Sequence, residues 1–117
     1  MEFTIEFYET VSERCPILEF LDDFKESDPD DFAAVIAGLA KLQNRYYHRQ
    51  PLSKAVGDDL FELRHVGKLN TRVLYFFVRG QRIIAVHGIR SKAKKISAQD
   101  RRVALDRKRD WLKRNPL

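Results

Sequence analysis

The chain has one cysteine, four prolines, five glycines and three histidines in 117 residues, and each shortage removes a class of protein. Cys15 alone forms no internal disulfide and has no companion at metal-ligand or C-x-x-C spacing, so the expected compartment is a reducing cytoplasm. The histidines, at 48, 65 and 87, include no i,i+4 pair, and the acidic pairs Asp22-Asp23, Asp30-Asp31 and Asp58-Asp59 read as helix or loop surface. No metal site is expected, and no cofactor. The glycines form no phosphate-cradling motif. Apolar runs such as VLYFFV are far short of a membrane span, and MEFTIEFYE carries acids where a secretory signal needs basic residues. Repeats and low-complexity segments are absent, and the length suits a single domain over residues 1–117.

What the chain has is charge, unevenly placed. Residues 1–63 hold six Lys/Arg against fourteen Asp/Glu, whereas residues 64–117 hold sixteen against three. The net charge of +5 hides this split. Part of the surface should present a field suited to phosphates or to an acidic protein partner, unless the basic residues merely solvate a helix.

Hydrophobic period supplies the elements. Phe3, Ile5 and Phe7 alternate with Glu2, Thr4 and Glu6, the pattern of a strand with one buried face. Pro16 opens a helix with Ile17, Phe20, Leu21 and Phe24 on one stripe. Asp28 before Pro29 reads as the N-cap of a second helix bearing Phe32, Val35, Ile36, Leu39 and Leu42. Residues 46–59 lack a period and read as a loop. Strands are expected at 60–65, 71–78 and 82–89, the last two joined through Arg79-Gly80-Gln81, and TRVLYFFV, apolar on both parities, should lie centrally. A final helix starts at Ser97, spaced from Asp100 as in a capping box, and runs to about Arg114. Its apolar stripe is narrow: Ala98, Ala104, Leu105, Trp111 and Leu112. The fold class is therefore α+β: a largely antiparallel four-stranded sheet, made of an N-terminal strand and a three-stranded meander, with two N-terminal helices and one C-terminal helix.

In a meander, the end of the first strand, the start of the second and the end of the third share one sheet edge. Arg64-His65, Arg72 and residues 87–95 should therefore converge, with Lys68 in the turn between. A two-residue loop at Gly80-Gln81 would set Arg72 opposite Ile89 and Val73 opposite Gly88. Arg72 shares its strand face with Leu74 and Phe76, so its guanidinium must either pair with a carboxylate, Glu62 being available, or face a cleft as a phosphate clamp. The same alternatives hold for Arg64.

These residues carry a resemblance. LFELR, then TRVLYFFVRGQRIIAVHGI, then SKAKK and a terminal helix resemble the RelE/HigB superfamily of toxins from bacterial toxin-antitoxin modules, in its phage-derived HigB-like branch. The motifs are L-x-E-L-R, R-V-L-Y and H-G-[FI]-x-K-K, in order, over residues 60–105. The usual Lys-Lys after H-G-F-x is here Ser91-Lys92, with Lys94 and Lys95 following. The resemblance implies a RelE-like fold and an endoribonuclease that cuts mRNA, usually on the ribosome, until an antitoxin neutralises it. It implies that Arg72 belongs to the phosphate site, and that Lys92 stands near a second catalytic cation. Where some members carry further lysines, or a tyrosine near the chain end, this chain has Glu62 and Ala98.

RNA cleavage needs no metal when the neighbouring 2′-hydroxyl is the nucleophile, provided one group takes its proton, another protonates the leaving 5′-oxygen and cations stabilise the charge on phosphorus. Arg72, Arg64 and Lys92 are the candidates for charge stabilisation, and His65 and His87 for proton transfer. Each histidine has a structural alternative, His65 as a turn residue and His87 as a core residue sharing a face with Ile83, Ala85 and Ile89. Tyr75 reads as core, and His48 as a loop residue near the site. Lys54, Lys68, Arg90, Lys94, Lys95, Arg101, Arg102 and Lys108 are the expected contacts to RNA backbone, or to an acidic antitoxin. The expected partners are mRNA, the ribosome and a cognate antitoxin from the adjacent gene, with no membrane, the chain being a monomer alone or a hetero-oligomer with its antitoxin. Two other readings use the same fold: a ParE-like toxin that inhibits DNA gyrase by binding, and a non-toxic RNA-binding regulator.

Overall fold

The computed structural model describes residues 2–117. In chain order the elements are β1 (Thr4–Phe7), α1 (Pro16–Lys25), α2 (Pro29–Lys41), a 3-10 turn (Arg45–Tyr47), β2 (Ser53–Gly57), β3 (Leu60–Val66), β4 (Asn70–Val78), β5 (Arg82–Ser91) and α3 (Ala98–Arg114). They build an α+β architecture around one five-stranded mixed sheet in the order β1-β5-β4-β3-β2. β1 runs parallel to β5, and every other neighbouring pair is antiparallel.

The expected four strands are therefore five, because β2 lies inside the stretch read as a loop. Its sequence, SKAVG, buries only Ser53. It is an edge strand held by backbone pairing to β3 rather than by an apolar face, so it leaves no period to read. Asp58 and Asp59, at φ of 57° and 55°, turn the chain from β2 into β3, and an Asp-Asp pair is a weaker hairpin signal than Asn-Gly.

β4 is central, as its double apolarity requires. Val73 and Tyr75 join a core with Ile17, Leu21, Phe24, Val35 and Leu39 of α1 and α2. Leu74 and Phe76 join the opposite core with Ala104 and Trp111 of α3, where the Phe76 and Trp111 rings meet edge to face at 5.7 Å. The stripe on α3 is narrow because it has only this one patch to cover. Ser97 caps that helix, its Oγ accepting from the Asp100 backbone N–H at 3.0 Å. Gly88 admits α1 to the sheet: a β-carbon there would stand 2.2 Å from the Phe20 ring.

The register at the important end matches the expectation by two deviations that cancel. Val78 pairs with Arg82, so the β4-β5 turn has three residues, with positive φ at Gly80 and Gln81. A bulge then leaves Val86 unpaired, and beyond it Val73 faces Gly88 and Arg72 faces Ile89. The bulge also reverses the parity of β5. Ile83 and Ala85 lie in the α1/α2 core, whereas His87 and Ile89 lie on the α3 side. The expectation that His87 shares a face with Ile83 and Ala85 is corrected by that extra residue.

Candidate functional site

On the α3 side of the sheet, pairing across β2, β3 and β4 brings Lys54 opposite Glu62 and sets Arg72 diagonally beside it. Arg72 and Glu62 side chains are 2% and 3% exposed, with Nε and Oε2 3.0 Å apart. Lys54 Nζ stands 3.8 Å from Oε1. Arg72 Nη2 donates to the carbonyls of Ala93 at 3.2 Å and Lys94 at 2.7 Å, so the guanidinium pins the segment that carries the lysines. Asn70 Nδ2 adds a donor to Ala93 at 3.2 Å.

Above this pair lies a cleft of about 280 Å³ lined by Lys54, Glu62, Arg72, Lys94, Lys95 and Arg101. Five cations thus surround one carboxylate. Two atoms of the buried pair lack a partner among the described residues: Arg72 Nη1 has no hydrogen-bond partner, and Glu62 Oε2, though close to Arg72, has no aligned donor. A buried donor left unpaired costs about 1–3 kcal/mol, so an orphan at a cleft floor calls for a ligand. The cleft can accept an anion at Arg72 and a proton at Glu62.

The other residues singled out in the sequence do not all reach this cleft. Alternation splits the expected cluster between the two faces of the sheet. On the α2 side, Arg90 bonds Asp28 at 3.0 Å and Asp31 at 2.8 Å, and its guanidinium lies 4.1 Å over the Phe24 ring. His65 Nε2 meets Asp31 at 3.0 Å, and Lys68 stands 3.6 Å from Asp28. The hydrogen bond with His65, and then the Arg90 guanidinium, hold the Asp31 carboxyl below its usual range against the effect of burial. Acids from the negative half of the chain therefore occupy Arg90 and His65. Asp28 begins α2 without capping it through its side chain, which is turned to Arg90 instead.

His87 is a strut between β5 and α3. Nε2 meets Asp100 at 2.8 Å, while Nδ1 lies 3.1 Å from Arg107 Nη1. An arginine only donates, so Nδ1 accepts and the neutral imidazole donates through Nε2. Burial, with Arg107 adding to it and Asp100 opposing it, lowers the pKa of His87. The unfolded chain then takes up this proton first, near pH 6.5. Stability from this group is complete above that pH and is lost as pH falls toward the folded-state value. His87→Gln should flatten this limb, visible as a urea midpoint that varies less between about pH 6.5 and 5 than in the parent.

His48 is packed between Phe3 and Phe77 and donates to the Leu42 carbonyl at 2.6 Å. Tyr75 is fully buried and bonded to Ser53, and burial raises its pKa. On α3, Arg101 approaches Asp58 at 3.4 Å and Lys108 donates to the Asp58 carbonyl at 2.9 Å, so both brace the β2-β3 turn. Lys92, Lys94, Lys95 and Arg102 are exposed and engage no carboxylate among the described residues. Arg64, the ladder partner of Arg72, leaves the sheet on the same face as Glu62 and Arg72, and it also lines a groove at the β2-β3 edge. The chemical weight of Glu62 is what the sequence reading underplayed. Its signal was a carboxylate sharing strand parity with the buried Leu60.

The family model for phage derived protein Gp49-like (DUF891) matches residues 20–109. The chain belongs to the Gp49-like family. This is a family of RelE-like toxin-antitoxin toxins. The match spans every residue that lines the cleft, and leaves outside it β1, the first turn of α1 and the last turn of α3. No curated protein matches the chain. Among the described residues of this Gp49-like protein, no helix is long and apolar enough to cross a membrane.

Proposed function

We propose that this Gp49-like protein is the toxin of a toxin-antitoxin pair, a cytoplasmic member of the RelE/HigB superfamily with a RelE-like fold, which cleaves mRNA on the ribosome without a metal. The observation that carries the reading is the buried Glu62-Arg72 pair, with an unpaired guanidinium N–H, at the floor of a cleft rimmed by cations. A phosphodiester bound there meets Arg72 from below and Lys94, Lys95 and Arg101 from the rim. Glu62 takes the proton of the 2′-hydroxyl, and its oxygen attacks phosphorus as the bond to the 5′-oxygen breaks. Lys54, beside Glu62, protonates the departing 5′-oxygen. The products are a 2′,3′-cyclic phosphate and a 5′-hydroxyl. Lys92, exposed beside the same segment, serves RNA backbone binding. An acidic antitoxin that covers the rim would exclude RNA from the cleft.

One observation favours the ParE-like alternative, in which the protein binds gyrase and cuts nothing. Both histidines near the sheet end are tied to carboxylates outside the cleft, which leaves no imidazole for proton transfer there. Primer extension on cellular mRNA after brief induction separates the readings. New 5′-hydroxyl ends within coding regions are the expected result. Intact mRNA with DNA damage would replace the proposal by gyrase inhibition, and intact mRNA without damage or growth arrest by a regulator that binds RNA.

A further inference from the structure

A concavity larger than the cleft lies elsewhere on the sheet. On the α2 side of the sheet, at the β2-β3 edge, a groove of about 730 Å³ runs along the 3-10 turn and the start of β2. Tyr46, Tyr47, Lys41, Arg49, Arg64 and His65 supply its aromatic and cationic lining. None of its lining residues is acidic, although residues 1–63, which supply most of the wall, are strongly acidic overall. The groove thus reverses the sign of the half that builds it.

Its aromatics are presented rather than buried. Tyr46 is 61% exposed, and its ring meets Tyr47 edge to face at 5.1 Å. The Arg49 guanidinium lies 4.2 Å over the Tyr46 ring while its Nε donates to the Tyr46 carbonyl at 3.1 Å. Lys41 Nζ lies 5.6 Å over Tyr47. The turn is held in this shape beforehand: Asn44 accepts from the Tyr46 N–H at 2.9 Å, and the His48 that follows is locked against Leu42, Phe3 and Phe77. Arg64 Nε is buried without a partner among the described residues, a second orphaned guanidinium donor, on a side chain that leaves the sheet on the Arg72 face. π-faces interleaved with cations, without acids, are the chemistry that holds unpaired bases and their phosphates.

The groove and the cleft meet across the edge strand. Leu52, just before β2, lines the groove and Lys54 lines the cleft, two residues or roughly 7 Å apart along the chain. Arg64 lines the groove and, as the β-ladder partner of Arg72, leaves the sheet on the cleft face. We propose that the groove binds the single-stranded RNA segment next to the cleaved phosphodiester, stacking bases on Tyr46 and Tyr47 and holding phosphates with Lys41 and Arg49. This rests on the RNA-cleavage reading and adds to it a binding track of the β2-β3 edge.

The test uses the full chain and a labelled 2′-O-methyl oligonucleotide, which lacks the nucleophile and stays intact, alongside an abasic version of the same strand. Tyr46→Ala should weaken binding of the first probe about 5- to 150-fold and leave binding of the abasic probe unchanged. Tyr46→Phe should restore the parental affinity. Arg49→Ala should lower the log-log salt slope by about 0.7 for each phosphate that its guanidinium no longer neutralises. Tyr46 and Arg49 are exposed, so both variants keep the fold. Parental affinity in Tyr46→Ala would overturn the groove proposal and leave the cleavage reading standing, as would a parent that cuts RNA yet does not bind the probe. A parent that neither binds nor cuts overturns both. Tyr46→Ala that weakens antitoxin binding and not RNA binding would assign the groove to the antitoxin.

Discussion

Arg72→Ala should lose roughly 3–5 kcal/mol of stability as well as cleavage, because it strands Glu62 as an uncompensated charge inside the protein. The side chain is not a free cation at a strand end. Its Nη2 also satisfies two carbonyls of the lysine-bearing segment, which would lose their donor and their position. The check is urea unfolding: the midpoint should fall with little change in m. Removing both charges together, as Glu62→Met with Arg72→Met, should recover most of the stability, since an apolar pair of similar volume avoids the desolvation cost. It should recover none of the cleavage. Arg72→Lys should fall between, keeping the charge but losing the fork that reaches Glu62 and the 93–94 carbonyls at once. An Arg72→Ala protein that unfolds at the parental midpoint would mean that the pair contributes nothing to the fold.

Local chemistry made much of this molecule readable before its structure. The double apolarity of TRVLYFFV placed it in the middle of the sheet, Pro16 and Pro29 marked two helix starts, and Ser97 marked the third. Each of these signals resides within a few residues. What escaped depends on partners distant in the chain. β2 is a strand because β3 is beside it, and the bulge at Val86 arises only where β5 must fit both β4 and α3. The charge split was legible as a count, yet its use was not. Asp28 and Asp31 lie about sixty residues from Arg90, and only the packing of α2 against the sheet brings them together. The convergence of cations at one edge was sound topology. Strand alternation then sent His65 and Arg90 to one face and Arg72 to the other, leaving Glu62, read as a counter-ion, as the carboxylate of the cleft.

That position makes Glu62→Gln the sharpest change to the chemistry. The amide keeps the shape and can still accept from Arg72, so the fold should persist, but it cannot take a proton. Cleavage of RNA by the purified protein, or by the protein on ribosomes, should fall roughly 10²–10⁴-fold. Binding of uncut RNA should hold or tighten, because one negative charge leaves a cleft that already carries five cations. The loss should therefore appear in kcat and leave KM near its parental value, as expected when an interaction acts only in the transition state. Lys54→Met should also slow cleavage while weakening RNA binding, since that lysine contributes a positive charge to the bound state as well as a proton to the leaving group. A Glu62→Gln protein that cuts at the parental rate would remove the base from the cleft and leave Glu62 as the counter-ion that keeps Arg72 in place. A variant that stays toxic in cells while cutting no mRNA would move the activity from RNA cleavage to binding of another target, and with it the meaning of the cationic rim.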